Sequence, residues 1–179
     1  MFIINGLHRG AYRLSFAGAV AAAVGILLIV AIIVLEIVLR TFFATSTFMM
    51  DELVGYLIAA VGFLPLGYTF AERGVLRVNL LLDNIKNHPR LRLAVEMSCV
   101  LSTLAVIGFL DWYFFANVAR QYSRGYSSGT MSGIPQWIPT GGMLIGLVIF
   151  WIQVFSYGVG IAMGRKIQTF DEGGETAIN

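Results

Sequence analysis

Four apolar stretches of about 18 to 26 residues dominate the sequence, from about Leu14 to Leu39, Leu53 to Phe70, Leu93 to Val118 and Ile138 to Met163. A hydrocarbon layer of about 30 Å takes roughly 20 residues of helix, so each stretch is long enough to cross it once. In lipid every backbone N–H and C=O has to be satisfied within the segment, which leaves the helix as the form open to a single span. The expected fold is therefore an all-α integral membrane protein, with four transmembrane helices in a single domain over residues 1–179. Of these 179 residues 58% are hydrophobic and 12% charged, so little chain is left for a soluble region and a large independent enzyme domain is excluded. The first run is too long for the apolar part of a signal peptide. It ends in Glu-Ile-Val-Leu-Arg without a small-residue cleavage pattern, and it reads as retained.

Lys and Arg set the expected orientation, because cytoplasmic loops near the spans carry their excess. With four spans, the termini and the middle loop share one side, which holds Arg9, Arg13, Arg73, Arg77, Lys86, Arg90, Arg92, Arg165 and Lys166. The other side holds Arg40, Arg120 and Arg124. Nine basic residues against three place both termini in the cytoplasm.

Within the middle loop Val78, Leu81, Leu82 and Ile85 fall on one helical face, with Arg77, Asn79, Asp83, Asn84 and Lys86 largely off it. This predicts a short amphipathic interfacial helix over about 75–87, between the second and third spans, with its basic residues near lipid phosphates. His88-Pro89 ends it. The loop from Ser123 to Pro135 is rich in Gly and Ser and reads as a flexible connection. Trp112, Tyr113, Tyr122, Tyr126 and Trp137 gather on that side, as amphipathic rings do at a membrane surface. The tail over about 167–179 is polar and acidic and is expected to be disordered.

An ionisable group inside a span is costly, and so is a candidate for function. Glu36 and Asp111 qualify, about three and seven residues from the outer ends of their spans, or roughly 5 and 10 Å. Neither lies at the midplane. Arg40 stands four residues beyond Glu36, where an ion pair closes on one helix face, and Arg120 or Arg124 is the candidate partner for Asp111. These are either structural carboxylates paired near the interface or parts of a proton or cation relay.

Asp51 and Glu52 open the second span, where acids favour the positive end of the helix dipole. His8 and His88 both lie outside the expected spans, which argues against haem or an intramembrane metal. No Lys or His base lies in any span for an intramembrane nucleophile, and Cys99 reads as a small buried hydrophobe. No catalytic residue, metal or cofactor is expected, and a net charge of +2 gives no reason to expect nucleic acid. Packing faces are plentiful instead. Gly142 and Gly146, Gly160 and Gly164, and Gly18, Ala21, Ala22 and Gly25 have the spacing that brings helices close together. Such a face serves either another helix of the chain or another subunit.

Asp51-Glu52-Leu-Val-Gly-Tyr opens the second span, and Glu72-Arg73-Gly74-Val75-Leu76-Arg77-Val78-Asn79-Leu80-Leu81 follows it. Together they resemble the small membrane subunit, the Q subunit, of the tripartite ATP-independent periplasmic (TRAP) transporters. That family places a glutamate at the start of its second span and a Gly-His-Ile-Arg-Val-Asp-Leu-Leu segment after it. Here Gly74, Arg77, Val78, Leu80 and Leu81 match, while Val75, Leu76 and Asn79 replace His, Ile and Asp. The lead-in Ile134-Pro135-Gln136-Trp137 to the last span, followed by Gly141-Gly142, is similar too.

The resemblance implies a non-catalytic partner in the cytoplasmic membrane of a bacterium or archaeon. It would brace a large multi-helix subunit that takes up an organic acid or related solute with sodium, after delivery by an extracytoplasmic binding protein. On this view Glu52, Arg73 and Arg77 contact the large subunit or membrane phospholipids, and the small-residue face at Gly142 and Gly146 supplies contact area. Two other functions stay open: a proton-coupled exporter acting as a homodimer with Glu36 as its coupling carboxylate, and a non-catalytic anchor of another membrane complex.

Overall fold

The computed structural model describes residues 2–45, 49–72, 89–129 and 133–162. Five helices carry them: α1 (Phe2–Phe43), α2 (Met49–Phe63), α3 (Leu66–Ala71), α4 (Pro89–Arg124) and α5 (Trp137–Ala162). Among the described residues there is no strand, and an isolated antiparallel bridge joins Ser127 to Pro135. With α2 and α3 taken as one hydrophobic run, four helical segments are long and apolar enough to cross a membrane. At 1.5 Å per residue the 42-residue α1 is about 63 Å long, twice the thickness of a hydrocarbon core.

The helix ends follow from local chemistry. Ala44, at φ 50°, turns the chain out of α1. Asp51 and Glu52 lie in the first turn of α2, where their charge suits the helix dipole. Pro89 begins α4, a place where its missing N–H costs nothing. Gly125, at φ 61°, ends α4: its N–H donates to Tyr122 O at 3.3 Å and that of Tyr126 donates to Gln121 O at 3.0 Å. This pairing satisfies carbonyls that a helix end leaves open, and it needs the left-handed conformation that glycine adopts freely. Beyond it, Ser128 N–H donates to Ile134 O at 2.9 Å and Gln136 N–H to Tyr126 O at 3.0 Å. The expected flexible connection is thus pinned at both of its ends.

Pro65 divides the second apolar run. Proline has no N–H for the turn before it and clashes with that turn's carbonyl, so α2 stops at Phe63 and α3 restarts at Leu66. At this corner neighbouring helices approach the backbone of the broken run closely. A Cβ on Gly146 would lie 2.6 Å from the carbonyl carbon of Phe63, and one on Gly18 would lie 2.7 Å from Leu64 O. Backbone atoms cannot yield there, so only glycine lets α1 and α5 seat against the broken run from either side.

The core runs along α5. Val100, Ile107, Leu147, Val154 and Ile161 form its buried cluster, with Phe63, Phe70 and Phe114 packed on it. Helix α5 packs on α4 along one side and on α1, α2 and α3 along the other. By contrast α1 exposes a long apolar flank that includes Phe16, Val20, Leu27, Val30 and Val34. Helix α4 exposes Phe109, Trp112 and Phe115. Cys99 lies on this outer side and is exposed, not buried as expected. Val100 takes the inward position, and the 100° step of a helix turns residue 99 away.

Candidate functional site

Polar side chains gather at the two ends of α1. At its C-terminal end Arg40 Nε donates to Glu36 Oε1 at 2.8 Å, the i, i+4 pair expected from spacing. Asp51, near the start of α2, lies 3.8 Å from Arg40 Nη2, an approach that the sequence did not indicate. Two turns into α2, the Tyr56 hydroxyl donates to Glu52. The Glu36 side chain is only 9% exposed, whereas those of Arg40 and Asp51 are 54% and 80% exposed. Between the two helices lies a crevice of about 210 Å³, lined by the apolar side chains of Ile33, Ile37 and Val54 together with Glu36, Arg40 and Asp51.

At the N-terminal end the bonds run between helices. Ser15 and Ser156 are fully buried and Gln153 nearly so. Ser15 Oγ donates to Gln153 Oε1 at 3.3 Å, and Ser156 Oγ lies 3.1 Å from His8 Nδ1. Gly160 makes room for the imidazole, since a Cβ there would stand 3.1 Å from His8 Nε2. Beside this seam the Tyr12 hydroxyl donates to Glu72 Oε1 at 2.8 Å, tying α1 to the end of α3. The rings of Tyr12 and Phe16 both lean on Tyr68. His8, expected outside the first span, thus lies on α1 and packs against α5. The start of α1 and the end of α5 consequently share one end of the bundle.

Asp111 stands apart from these clusters. It is half-buried on α4, and its Oδ1 is buried with no hydrogen-bond partner among the described residues. Neither Arg120 nor Arg124 pairs with it. Arg124 donates instead to the Tyr126 hydroxyl at 3.1 Å, and nine residues of helix, about 13 Å, separate Arg120 from Asp111.

Gly146 is buried against the Phe63-Leu64 corner, and the nearest neighbour of a Cβ at Gly142 would be Ala60 at 3.4 Å. The structure therefore gives this small-residue face a partner within the chain. Arg73, Arg77, the expected interfacial helix over 75–87 and the tail over 167–179 lie outside the described residues. Among the described residues, no three His, Cys, Asp or Glu side chains gather so as to hold a metal ion.

The sequence alone does not specify the seam formed by His8, Ser15, Gln153 and Ser156, yet it carries a trace of it. Gln153 and Ser156 stand three apart in an otherwise apolar run, and His8 and Ser15 stand seven apart, so each pair lies on one helical face. At the opposite end of α4 and α5, Tyr122 and Trp137 meet edge to face at 5.8 Å, with Tyr113 and Tyr126 exposed nearby in sequence.

The family model described as "Tripartite ATP-independent periplasmic transporters, DctQ component" matches residues 29–157. No curated protein and no solved structure matches the chain.

Proposed function

The chain belongs to the DctQ component family of the tripartite ATP-independent periplasmic transporters, and on that premise we propose that it is the bracing, non-translocating subunit of such a system. The family is a transporter component that works with a large membrane subunit and a binding protein, and four long apolar helices make this chain a multi-pass membrane protein. In the proposed role it holds the scaffold of the large subunit still in the membrane. The transporting part then moves an organic acid or related solute inward with sodium. Glu52, Arg73 and Arg77 contact the large subunit or lipid phosphates, and the apolar flank of α1 supplies contact area. The membrane is the cytoplasmic membrane of a bacterium or archaeon, with both termini inside.

The observation that most supports this role is how the polar groups of the bundle are used. Ser15, Gln153, Ser156 and His8 lock α1 to α5 in burial, which stiffens the bundle. Glu36 is tied to Arg40 beside the α1–α2 turn, where a fixed ion pair serves better than a coupling carboxylate does. Unwound half-helices that meet at a substrate site are the mark of a translocating subunit. Here the break at Pro65 is filled by Gly18 and Gly146 of neighbouring helices.

Purification from the native membrane in mild detergent tests the proposal. A large multi-helix subunit in stoichiometric yield, together with uptake in vesicles that fails without this chain, is the expected outcome. A homodimer that moves solute alone would overturn it. For the topology, a phosphatase fused after Asn179 is expected to be inactive.

A further inference from the structure

The crevice between α1 and α2 combines two chemistries. Its lining joins the apolar side chains of Ile33, Ile37 and Val54 to a cation and two anions, Arg40 with Glu36 and Asp51, of which Arg40 and Asp51 are the exposed ones. Arg40 commits its Nε–H to Glu36, and its Nη2 is 3.8 Å from Asp51. A guanidinium has five N–H donors in a fixed fork, so donors remain on the half-exposed side of the group. The Asp51 carboxylate is 80% exposed and stands beside them. The three charged groups thus offer an anion-binding face and an anionic acceptor side by side, with one negative charge in excess. At about 210 Å³ the crevice is smaller than the roughly 300–1,000 Å³ of sites that enclose a small molecule, so it suits one end of a ligand whose remainder lies elsewhere.

We propose that this crevice binds a phospholipid whose headgroup carries a primary amine. The phosphate accepts hydrogen bonds from Arg40, the ammonium donates to Asp51, and the first part of an acyl chain lies along Ile33, Ile37 and Val54. A choline headgroup has no N–H to give Asp51. An anionic lipid without an amine satisfies Arg40 but adds negative charge beside Glu36 and Asp51. A basic side chain from a partner helix satisfies Asp51 and leaves the spare donors of Arg40 unused. The amine–phosphate pair answers all three features together. The site does not depend on the bracing role, and its test does not require the large subunit.

The test is native mass spectrometry of the full purified chain, titrated with phosphatidylethanolamine, phosphatidylcholine and phosphatidylglycerol of identical acyl chains. Retention of the ethanolamine lipid is expected to exceed that of the other two by about fivefold, corresponding to about 1 kcal/mol. Asp51→Asn should remove the preference over choline while leaving the melting temperature of the protein unchanged, because the side chain is largely exposed. Ile33→Trp, which fills the crevice, should lower retention of all three lipids. Equal retention of the three, a preference for phosphatidylglycerol, or an ethanolamine preference untouched by both variants would each overturn the proposal.

Discussion

The two ends of α1 handle polar groups in opposite ways. Near its start, Ser15 and His8 bond across to Gln153 and Ser156 on α5, and the groups so joined lie 138 and 148 residues apart in sequence. Near its end, Glu36 and Arg40 bond along the same helix, and the neighbouring Asp51 stays open to its surroundings. A buried bond between helices fixes which residues face each other, because any slip leaves a hydroxyl or amide unpaired in an apolar interior. A pair within one helix fixes no register. What it does is keep a buried carboxylate neutralised while presenting charge in a crevice. One end of α1 is thus committed to the fold, and the other is available to ligands.

Substitutions put this contrast at risk in descending order of effect. Gly146→Leu drives a side chain into the backbone at Phe63 and Leu64, and should cost about 3 kcal/mol or abolish folding. Loss of monodisperse protein on size exclusion is the readout. Gln153→Leu removes the acceptor of Ser15 and should cost about 1 kcal/mol in SDS unfolding from mixed micelles. In a double-mutant cycle with Ser15→Ala, the coupling should be about 0.6–1 kcal/mol, and a coupling of zero would break the claim that this end sets register.

Arg40→Gln removes one donor to Glu36, but the Arg40 side chain is 54% exposed and water screens the pair, so a loss smaller than that of Gln153→Leu is expected in the same unfolding measurement. A loss as large as that of Gly146→Leu would mean that both ends are core and would collapse the distinction. Smallest is Asp51→Asn, at 3.8 Å and largely exposed, which should move unfolding by less than about 0.5 kcal/mol.

The helices were legible in the sequence because the requirement for them is one of length and composition, and each apolar run meets it without knowledge of its neighbours. Glu36 with Arg40 was legible for the same reason, since i, i+4 spacing is local. The approach of Asp51 was not, because it depends on how the chain turns between α1 and α2. Nor was the seam: periodicity marks Ser15 and Gln153 as lying on faces, but not that those faces meet. Cys99 shows the converse failure. An apolar neighbourhood in sequence suggested burial, yet in a helix destined for lipid apolar residues lie on every side, and hydrophobicity no longer tells inside from outside. Pro65 is legible as a break, because a proline inside a helix removes an N–H donor. What the break accommodates, two close-fitting glycines from separate helices, was not.

Helix α5, around which the bundle is organised, is translated after the other four. The ribosome adds about 5–20 residues per second, so α1, α2 and α3 reach the bilayer seconds before the surface that they pack against exists. During that interval Ser15 and His8 have no Gln153 or Ser156 to bond, and Gly18 borders the Leu64 corner without the opposing Gly146. Among the described helices, α5 therefore docks last, onto segments already in the bilayer. Mutations in α5 should accordingly act on biogenesis as well as on the finished structure, leaving intermediates that membrane quality control would meet as loosely tethered, proteolytically vulnerable hairpins.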